Sequence, residues 1–587
     1  MGYKIVSSVD ELPAFDKALP LFSDIETEGL YVGFRMVQFY QPETTPDVYI
    51  VDIAQMGYEL IEYATQLSKI KRYIMNRWTV WFNGSYDLGT LNISPMMNDQ
   101  PVDDLFYLMK SAYPSFMEFG LKKVVRKFPD TRDLYANVDE NAGAKGFTRG
   151  AYISADDYEY AALDVYSMKI LWDDARVQKI KEFNLAYKVD MLSQKYALVY
   201  QQTGLLVHEP SRVKELKQSY IDREKFTELL PADFNPNSWQ QVRKLLGIKK
   251  SAYEDLVAYL NSDAEDAALA EYIIKLKRAK KQIGYLESLA PTMYTKFNVA
   301  GAITGRFTAA GGDLPDGFNG QQIPRNYQYM FNKATKDTVV VHADYSTLEL
   351  RLAATIFKDA GMYQLFKDGK DPHAETASDI SKKPVHPDGA IYIGEYDEDN
   401  PEWVTSVDRQ NAKAPNFGFV FGMSANTFIP YAFTNYNQKY TKAEADEVRA
   451  AYFRKYVGVG RHHKYVWDHY KKPNFIVETA LGRRVKPKLG TDGINTPVQG
   501  SGAETTKLAI HYLIRDYGEE VLQYIYLTVH DAIYLRVPRG EELHWGEALE
   551  KSMLLAWTEI SKTDLFFYKD IPMIAEVEYE LDYEEVV

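Results

Sequence analysis

The chain has 587 residues, which is room for several domains at the usual ~150 residues per domain. It contains no cysteine, which excludes disulfides, thiolate metal sites and cysteine nucleophiles, and its net charge of −14 argues against binding nucleic acid through overall basicity. No apolar run approaches the ~20 residues of a membrane helix, and no signal-peptide pattern follows Met1, so we expect a cytoplasmic protein without a membrane partner.

The first candidate site is a set of acidic residues in the N-terminal third. Asp24 and Glu26 stand two apart in a strand-like segment, so their side chains point to the same face. Two carboxylates on one face repel each other unless a cation lies between them, which makes the pair a candidate metal site. Further along, Asp87 follows an apolar strand and a turn, and Tyr160 and Asp164 stand four apart on one helical face.

The ordered set D-x-E, N-x-x-x-D and Y-x-x-x-D resembles the DEDD-type 3′–5′ exonuclease of DNA-polymerase-I-like proteins, in its tyrosine-bearing subclass. The resemblance implies that Asp24, Glu26 and Asp164 hold one metal ion. It also implies that Asp24 and Asp87 hold a second ion, and that Tyr160 orients the attacking water. Two such ions, ~4 Å apart, activate a water and stabilise the leaving oxygen of an in-line hydrolysis.

Two basic clusters stand out against the acidic background of the chain. They are Lys122, Lys123, Arg126 and Lys127, and then Lys275, Lys277, Arg278, Lys280 and Lys281. Such clusters are more often solvated helix faces than binding surfaces. The second cluster lies on a helix predicted over about 266–289, which follows a helix predicted from Ser238 to Leu246. This helical segment resembles the thumb of the polymerase-I-like (family A) fold, and its basic face suits a phosphate backbone.

Two stretches after the helical segment resemble family motifs that line the minor groove near a primer end. Residues 304–308, T-G-R-F-T, resemble T-G-R-L-S, and residues 319–324, N-G-Q-Q-I-P, resemble N-L-Q-N-I-P. The resemblance implies that Arg306 donates to the acceptors that every correct base pair presents there, which checks shape rather than sequence. It assigns Asn319 and Gln321 to the same DNA surface.

Residues 338–354 carry a second acidic site. Three valines predict a buried strand, and Asp344 stands at the end of that strand. The spacing of Ser346 and Glu349 predicts a capping box that opens a helix. Asp344 is then either a metal ligand or an acidic turn residue near a helix N-terminus. The stretch resembles motif A of family A, D-Y-S-x-x-E-L-R, which favours the metal ligand. The residues that it assigns to the nucleotide or the DNA are Tyr345, Glu349 and Arg351.

Residues 409–422 resemble motif B, R-x-x-x-K-x-x-x-F-G-x-x-Y-G. Four of its residues share one face of a predicted helix because they recur every four positions: Arg409, Lys413, Phe417 and Phe421. Two cations followed by two aromatic rings suit a nucleoside triphosphate that lies along this face. Two features depart from the family, since Pro415 removes a hydrogen bond inside the helix and Phe421 replaces the usual tyrosine.

A segment before motif B, K-D-P-H at 370–373, resembles a family segment whose histidine contacts the incoming triphosphate, here His373. The connection from His373 to Arg409 is rich in proline, glycine and acids, which predicts an inserted surface hairpin or loop around 381–405. The resemblance implies that Lys413 donates a proton to the leaving pyrophosphate, while Arg409 and His373 stabilise the charge of the phosphates.

Residues 524–537 predict two strands with His530 and Asp531 at the bend between them. Hairpin bends need positive φ and favour Asn-Gly or Asp-Gly, so a histidine there indicates a functional site. The stretch resembles motif C, V-H-D-E, with Ala532 in place of the glutamate. This implies that Asp531 is a metal ligand and that His530 supports the primer end.

Upstream of this hairpin, residues 479–484 resemble T-x-x-G-R-R and residues 495–500 resemble N-x-P-x-Q-G. The resemblance assigns Asn495 and Gln499 to the template or the minor groove. Thr491 stands where the family usually has an arginine, so one primer contact is missing or comes from elsewhere.

The resemblance extends over residues 24–537 and implies an α/β multidomain protein. We expect an RNase H-like 3′–5′ exonuclease domain at 1–188, followed by a right-hand polymerase. Its predicted parts are the thumb and the start of the polymerase domain (189–300), the palm with motif A (301–355), the fingers (356–490) and the palm with motif C (491–587).

The implied function is template-directed DNA synthesis with proofreading, in bacteriophage replication inside a bacterial host. Asp344 and Asp531 would hold two Mg²⁺ ions, with Mn²⁺ as a substitute. The expected substrates are primer-template DNA and dNTPs, the expected protein partners are a phage helicase, a primase and a single-strand-binding protein, and the chain is expected to be a monomer.

Two other function classes remain open from the sequence. One is a single-subunit RNA polymerase of related architecture, against which Glu349 and Phe417 argue because they would block a ribose 2′-hydroxyl and no tyrosine replaces either. The other is a nuclease whose C-terminal part only binds nucleic acid. Loss of primer extension on replacement of Asp344 would separate a polymerase from this nuclease.

Overall fold

The computed structural model describes residues 1–29, 32–53, 60–93, 100–116, 118–136, 147, 152–260, 264–311, 314, 316–386, 403–436 and 438–582. Residues 387–402 of the predicted insertion lie outside these ranges. Within the ranges, no helix is both long and apolar enough to cross a membrane.

A mixed sheet of six strands organises the N-terminal part. Its strands are β1 (Gly2–Val6), β2 (Leu21–Gly29), β3 (Val32–Tyr40), β4 (Asp47–Asp52), β5 (Thr79–Trp81) and β6 (Val102–Asp104). They lie in the order β1-β4-β3-β2-β5-β6. β3 is antiparallel to both β2 and β4, and the other neighbours are parallel. β2, which carries Asp24 and Glu26, therefore lies inside the sheet.

Helices cover this sheet and bury its apolar side chains in two cores. They are α1 (Leu60–Met75), α2 (Ser85–Thr90), α3 (Leu105–Ala112), α4 (Leu121–Val125), α5 (Ala155–Trp172) and α6 (Ala175–Phe183). α5 begins with a capping box in which Ser154 and Asp157 each accept from the other's backbone N–H. This start places Tyr160 and Asp164 on the part of α5 that packs against β2.

Helix α7 (Leu185–Thr203) joins the N-terminal part to the rest of the chain. Ala186 and Val189 pack in the large core around the second sheet. Tyr187 packs in a core of the first sheet, and its hydroxyl donates to Asp103 over 2.6 Å. The predicted boundary after residue 188 therefore lies within a helix that both parts share.

Residues 205–293 form a helical segment between two short paired strands, β7 (Leu205–Leu206) and β8 (Thr292–Met293). Its helices are α8 (Glu209–Glu228), α9 (Trp239–Leu246), α10 (Tyr253–Leu260) and α11 (Ala267–Glu287). α8 and α11 pack side by side, and the segment has a small apolar core of its own. The helix predicted from Ser238 is confirmed, since Ser238 caps α9 by accepting from the Gln241 N–H. The longer predicted helix is confirmed as α11.

The next segment contains the strand predicted from three valines. Its elements are β9 (Lys296–Asn298), β10 (Thr308–Ala310), α12 (Tyr329–Asn332), β11 (Thr338–Tyr345) and α13 (Leu348–Ile356). The three valines, 339–341, have no exposed surface, which confirms a central strand. A group of helices follows: α14 (Ala360–Lys367), α15 (Pro372–Ser381), α16 (Ser406–Asn411), α17 (Lys413–Val420), α18 (Ala425–Tyr436), α19 (Lys442–Lys455) and α20 (Val457–His469).

The last part completes a four-stranded antiparallel sheet in the order β14-β15-β11-β16. Its elements are β12 (Val477–Glu478), β13 (Arg484–Val485), α21 (Gly490–Tyr517), β14 (Ile525–Val529), β15 (Ala532–Pro538), α22 (Glu542–Ser561) and β16 (Ala575–Glu580). The long helices α21 and α22 pack on each other, and α22 also packs on β11. The sheet is thereby a rigid support for residues at its ends.

A buried ionic cluster connects α7 with the C-terminal helices. The Asp190 carboxylate accepts from Lys507 Nζ over 2.7 Å and from an Arg483 nitrogen over 2.5 Å. Lys507 also donates to the Gly305 carbonyl over 2.7 Å. All three charged side chains are at least nine-tenths buried. Because an unpaired charge is very costly in a protein interior, this cluster ties α7, α21 and the loop that precedes Arg306 together.

Replacing Asp190 by alanine is expected to lower the free energy of unfolding by about 3–5 kcal/mol, because two buried cations lose their shared partner. Denaturant unfolding followed by tryptophan fluorescence measures this loss. The matched control is Asp468→Ala, which breaks an exposed ion pair with Lys464 and is expected to leave the free energy of unfolding almost unchanged, because solvent screens such pairs. Equal losses in the two variants would contradict a structural role for the cluster.

Candidate active sites

Three of the predicted N-terminal acids meet in one place. Oxygen atoms of Asp24 and Glu26 on β2 and of Asp164 on α5 lie within 4.8 Å of one another. Asp87 on α2 is buried beside them and accepts from the Ile25 backbone N–H over 3.2 Å. The strand periodicity of Asp24 and Glu26 and the helical position of Asp164 thus produce the predicted cluster.

The charges of these acids are unfavourable to one another. Burial, followed by repulsion from Asp87, Asp164 and Glu26, raises the pKa of Asp24 well above its ordinary value. Burial also raises the pKa of Glu26, and it raises the pKa of Asp87 to about 8. A divalent cation would relieve this repulsion, and carboxylate oxygens are the ligands that hard cations prefer. The residues therefore fit a metal site.

Two further side chains enter this site that the sequence reasoning missed. The Lys122 ammonium contacts the Tyr160 hydroxyl and lies 3.8 Å from an Asp164 oxygen. The Tyr135 hydroxyl donates to the other Asp164 oxygen over 2.8 Å. The prediction of a solvated face is thus wrong for Lys122. No local signal distinguishes it from its neighbour Lys123, because its contacts come from residues distant in sequence.

The second acidic site lies at the ends of strands in the four-stranded sheet. Asp344 stands near the end of β11, and Asp531 stands at the bend between β14 and β15. His530 has a φ of 56°, which confirms the strained bend predicted there. Burial raises the pKa of Asp344 to about 6. Burial, and then repulsion from Asp344 and Glu349, raises the pKa of Asp531. These two acids also fit a divalent cation.

A cleft of about 250 Å³ places Asp344 opposite a set of basic side chains. Glu576 lies beside Asp344 on the neighbouring strand β16. The nitrogen-bearing side chains that line the cleft are those of Arg351, Lys370, His373, Arg409 and Lys413, and Asp371 lines it as a third acid. A cleft that contains both acids and cations suits an anionic ligand that arrives with divalent cations.

The predicted single helix of motif B is wrong, since the chain breaks at Ala412 into α16 and α17. Pro415, one turn after Asn411, has no N–H to donate to the Asn411 carbonyl, which weakens the helix at this point. Arg409 ends in the cleft with its Nε and a terminal nitrogen 2.6 Å and 2.5 Å from an Asp371 oxygen. Lys413 still lines the same cleft.

The two aromatic residues of motif B both follow the break, within α17 and at its end. Phe417 lies on α17, and its ring centre is 5.6 Å from that of His373. Phe421 follows the last residue of α17 and is partly buried. Phe417 is therefore beside the cleft, while Phe421 is the residue at which the helix ends.

The predicted capping box of Ser346 and Glu349 is wrong. α13 begins at Leu348 after Thr347, which has a φ of 53° and makes no side-chain cap. The Ser346 N–H donates to the Ile574 carbonyl, so Ser346 continues the strand pairing and does not start the helix. The Glu349 carboxylate instead forms an ion pair with Arg306.

Two residues predicted to contact the ligands are buried in the scaffold. Tyr345 is 2% exposed, and its hydroxyl donates to the Met553 carbonyl over 2.7 Å. Arg351 is 1% exposed and donates to the carbonyls of Ser346 over 2.9 Å and Pro572 over 2.6 Å. Both residues still line the cleft that contains Asp344, so nucleotide contact by Tyr345 and DNA contact by Arg351 stay predictions. The hydrogen bonds of both side chains hold the scaffold around Asp344.

Residues predicted to contact DNA form the surroundings of Asp531. Gln321 donates to the carbonyl of Thr528, two residues before His530. Burial lowers the pKa of His530, and the charges of Arg306 and Arg325 lower it further, which places both cations near this bend. Arg325 also opposes the rise of the Asp344 pKa and lowers the pKa of Lys413, which places near both groups a charge that the sequence reasoning missed.

Two other DNA candidates, Asn495 and Gln499, are one turn apart on α21 and are partly exposed. The neighbouring Gly500 packs so closely on the Arg306 loop that a Cβ there would lie 2.7 Å from the Thr304 carbonyl oxygen. The last candidate, Asn319, lines a separate cleft of about 1060 Å³ between the 318–327 segment and α11. The cations Lys277, Arg278 and Lys281 line this cleft as well.

Comparisons with known proteins agree with this geometry. A family model described as DNA polymerase family A matches residues 211–581. DNA polymerase I of Aquifex aeolicus (strain VF5) is 26% identical over 580 residues, covering 92% of this chain and 93% of that protein. DNA polymerase I of Geobacillus stearothermophilus is 29% identical over 349 residues, covering 54% of this chain and 37% of that protein.

A solved structure shares the fold over nearly the whole chain. It is the POL domain of Pol1 from M. smegmatis, solved as a complex with DNA primer-template and dNTP. The TM-score is 0.67 at 18% sequence identity, and the match covers 95% of this chain and 94% of that chain.

Replacing Asp24 by asparagine is expected to stabilise the metal-free protein by about 1 kcal/mol, because it relieves repulsion among buried acids. The same change should remove most of the stabilisation by Mn²⁺. Calorimetric unfolding in EDTA and in Mn²⁺ measures both effects. Because the pKa values of these acids are raised, protons compete with the metal, so stabilisation by Mn²⁺ should weaken as the pH falls from 8 to 6.

The control for this experiment is Glu159→Gln, an exposed acid on the same helix as Asp164. It should change neither the metal-free stability nor the response to Mn²⁺. An Asp24→Asn variant that Mn²⁺ stabilises as much as the wild type would show that the acids do not form a metal site.

Proposed function

Because the chain belongs to DNA polymerase family A, we propose that it extends the 3′-hydroxyl of a primer with dNTPs on a DNA template and proofreads with a 3′–5′ exonuclease. One observation is the main support for the proposed primer extension. Asp344 lies in one cleft with Arg409 and Lys413, on a sheet whose bend holds Asp531, all within the matched residues.

Asp344 and Asp531 would hold two divalent cations, Mg²⁺ or Mn²⁺, in the synthetic site. When bound, such ions supply positive charge that activates the primer hydroxyl and neutralises the triphosphate. The raised pKa values of both carboxyls support this assignment, since burial and neighbouring acids make both charged forms unfavourable and a bound cation would stabilise them. Ala532 in place of the family's glutamate leaves the site with two acids from motifs A and C.

Arg409 and Lys413 would bind the phosphates. Arg409 is held in the cleft by Asp371, which restricts the guanidinium before a nucleotide arrives. Burial, and then the charges of Arg409 and Arg325, lowers the pKa of Lys413. A lowered pKa makes the ammonium a better proton donor, which suits protonation of the leaving pyrophosphate. Phe417 would lie against the base and sugar.

Glu349 would exclude a ribose 2′-hydroxyl from the cleft. In the family this glutamate pairs with the motif B tyrosine, whose hydroxyl is absent from Phe421. Arg306 is its ion-pair partner in this structure. Burial raises the pKa of Glu349, and the charge and hydrogen bond of Arg306 oppose that rise. The partner of Glu349 is thus a residue that is itself assigned to the minor groove.

The six-stranded sheet would carry the exonuclease. Asp24, Glu26, Asp87 and Asp164 would supply the metal ligands. Tyr160 would orient the attacking water, and its hydroxyl contacts Lys122. The mixed sheet with flanking helices supports the predicted RNase H-like fold at 1–188. We assign the helical segment within 189–300 to the thumb, 356–490 to the fingers, and 301–355 with 491–587 to the palm.

The DNA surface would run from the cleft beside α11 to the bend at Asp531. Its proposed members from the sequence are Arg306, Asn319, Gln321, Asn495, Gln499 and His530. The bacteriophage origin, the bacterial cytoplasmic location, the monomeric state and the helicase, primase and single-strand-binding partners stay predictions.

Separate substitutions should remove the two activities one at a time. Asp344→Ala is expected to lower primer extension at least about 100-fold and leave 3′–5′ degradation intact, because it removes a metal ligand of one site only. The Asp24→Ala, Glu26→Ala double variant should show the opposite pattern. Gel assays on a labelled primer with a DNA template measure both activities.

The control is Asp337→Ala, an exposed acid before the same strand, which should change neither activity. Unchanged extension by Asp344→Ala would refute the synthetic assignment and favour a nuclease whose C-terminal part only binds nucleic acid. Preferred use of rNTPs by the wild type would favour an RNA polymerase.

Glu349→Ala is expected to raise incorporation of rNTPs relative to dNTPs by about 10–200-fold, because it opens space for a 2′-hydroxyl. Single-nucleotide incorporation with each sugar measures the ratio. Arg306→Ala removes the ion pair but keeps the glutamate, so it should weaken extension and shift the ratio much less. Unchanged sugar selectivity in Glu349→Ala would leave Glu349 only as the partner of Arg306.

A further inference from the structure

A chain of three buried polar side chains lies behind the cleft. Asn416 on α17 is 1% exposed, and His373 and Thr376 on α15 are 3% and 5% exposed. The Thr376 hydroxyl donates to the Asn416 side-chain oxygen over 2.9 Å. The Asn416 side-chain nitrogen lies 3.2 Å from the Pro372 carbonyl oxygen and 2.9 Å from His373 Nδ1. Asn416 thus joins three groups of the helix that presents His373.

The chemistry of these groups determines which way the Asn416 amide faces. The Pro372 carbonyl can only accept a hydrogen bond, so the amide atom beside it must be the nitrogen. The same nitrogen lies beside His373 Nδ1, and the Asn416 oxygen lies beside the Thr376 hydroxyl, which can donate. Because Nδ1 must then accept, the proton of a neutral imidazole is on Nε2.

The imidazole of His373 is neutral before a nucleotide binds. Burial lowers its pKa to about 3, the nearby Asp371 opposes that shift, and Arg409 and Lys413 reinforce it. A neutral histidine has two tautomers, and only one of them has an N–H at Nε2. Among the described residues, no hydrogen-bond partner is recorded for Nε2, and His373 lines the cleft together with Arg409 and Lys413.

We propose that Asn416 is a positioning residue that holds His373 in its Nε2–H tautomer, so that the cleft presents a neutral N–H donor to the phosphates of a nucleotide. The inference rests on the proposed binding of a nucleoside triphosphate in this cleft. It adds a specific task for Asn416, which directly precedes Phe417. With the other tautomer, Nε2 would present a lone pair to phosphate oxygens, and the two would repel each other.

A purely structural role for Asn416 is the competing explanation, since its amide also links α17 to the first turn of α15. The two roles differ in one respect. If Asn416 acts through His373, replacing Asn416 should raise the KM for dNTP only while the histidine is present. If Asn416 only tethers two helices, replacing it should raise the KM equally in a variant that lacks the histidine.

A double-mutant cycle separates these roles. It uses Asn416→Leu, His373→Gln and the double variant, all in the Asp24→Ala, Glu26→Ala background so that degradation does not interfere. We expect His373→Gln to raise the KM for dNTP about tenfold, as for one lost hydrogen bond to a charged group. Asn416→Leu should raise it several-fold, with a smaller change in kcat and an unchanged Kd for primer-template DNA. The double variant should be no worse than His373→Gln within about twofold.

The matched control is Thr376→Val, which removes one hydrogen bond to the same asparagine. The Pro372 carbonyl still orients the amide in this variant, so the KM for dNTP should stay within about twofold of the wild type. Additive losses in the double variant would overturn the proposal and favour the structural role.

A spectroscopic measurement tests the tautomer directly and needs no replacement of Asn416. The chain has ten histidines, and ¹⁵N-histidine labelling with comparison to His373→Gln identifies the signal of His373. We expect a protonated Nε2 and an unprotonated Nδ1 in the wild type and in Thr376→Val, and a mixture of tautomers in Asn416→Leu. A proton on Nδ1 in the wild type would refute the proposal even if the kinetic effects were as expected.

The two measurements also separate this inference from the function on which it rests. If the wild-type protein incorporates no dNTP, the proposed function is refuted, and the proposed role of the tautomer is refuted as well. A wild type that incorporates dNTPs and is insensitive to His373→Gln would leave the function intact and overturn the inference alone.

Discussion

Repulsion between carboxylates that are held away from bulk water is the constraint on which both candidate sites depend. Burial raises the pKa values of Asp24, Glu26 and Asp164 in one sheet domain and of Asp344 and Asp531 in the other. Neighbouring carboxylates raise the pKa values of Asp24, Glu26, Asp344 and Asp531 further. Such arrangements persist only where a scaffold holds them. Asp24, Glu26 and Asp344 lie on paired strands, Asp164 lies on α5, and Asp531 lies at the bend between β14 and β15.

The cations near these acids follow from the same constraint. Lys122 lies beside Asp164 and Tyr160, and Arg306 pairs with Glu349. Each pair offsets part of the negative charge that the acids bring together. The Arg409–Asp371 pair likewise holds a guanidinium in the cleft next to an acid. A ligand proposed for either site would therefore exchange partners with charged groups that are already paired.

The two parts of the chain are connected through buried polar groups as well as through apolar packing. Helix α7 contributes side chains to both cores, and its Asp190 accepts from Arg483 and Lys507. Lys507 also holds the Gly305 carbonyl, next to the arginine that pairs with Glu349. Gly305 has a φ of 86° and lies so close to Arg483 that a side chain there would collide with the guanidinium. The position of Arg306 thus depends on a helix that begins in the N-terminal part.

The sequence by itself determined the elements whose signal is local. Three valines and the following Asp344 predicted β11, alternation around His530 predicted the hairpin with its positive φ, and Ser238 predicted the start of α9. These features depend on propensity, spacing and capping within a few residues, so they can be read from the chain. Strand and helix periods place Asp24 with Glu26, and Tyr160 with Asp164, on common faces, whereas the resemblance of the ordered motifs assigned these residues and Asp87 to one site.

Only the tertiary structure decided which side chains face a site and which are buried behind it. Arg351 and Tyr345 carry groups that suit a ligand but donate to backbone carbonyls of the scaffold, whereas Lys122, in an ordinary basic cluster, reaches into the acidic site. Ser346 and Glu349 have the spacing of a capping box, yet a strand partner and Arg306 take their hydrogen bonds. In each case the deciding partner is distant in sequence, and local spacing does not determine which of several hydrogen-bond partners a polar group meets once the chain is folded.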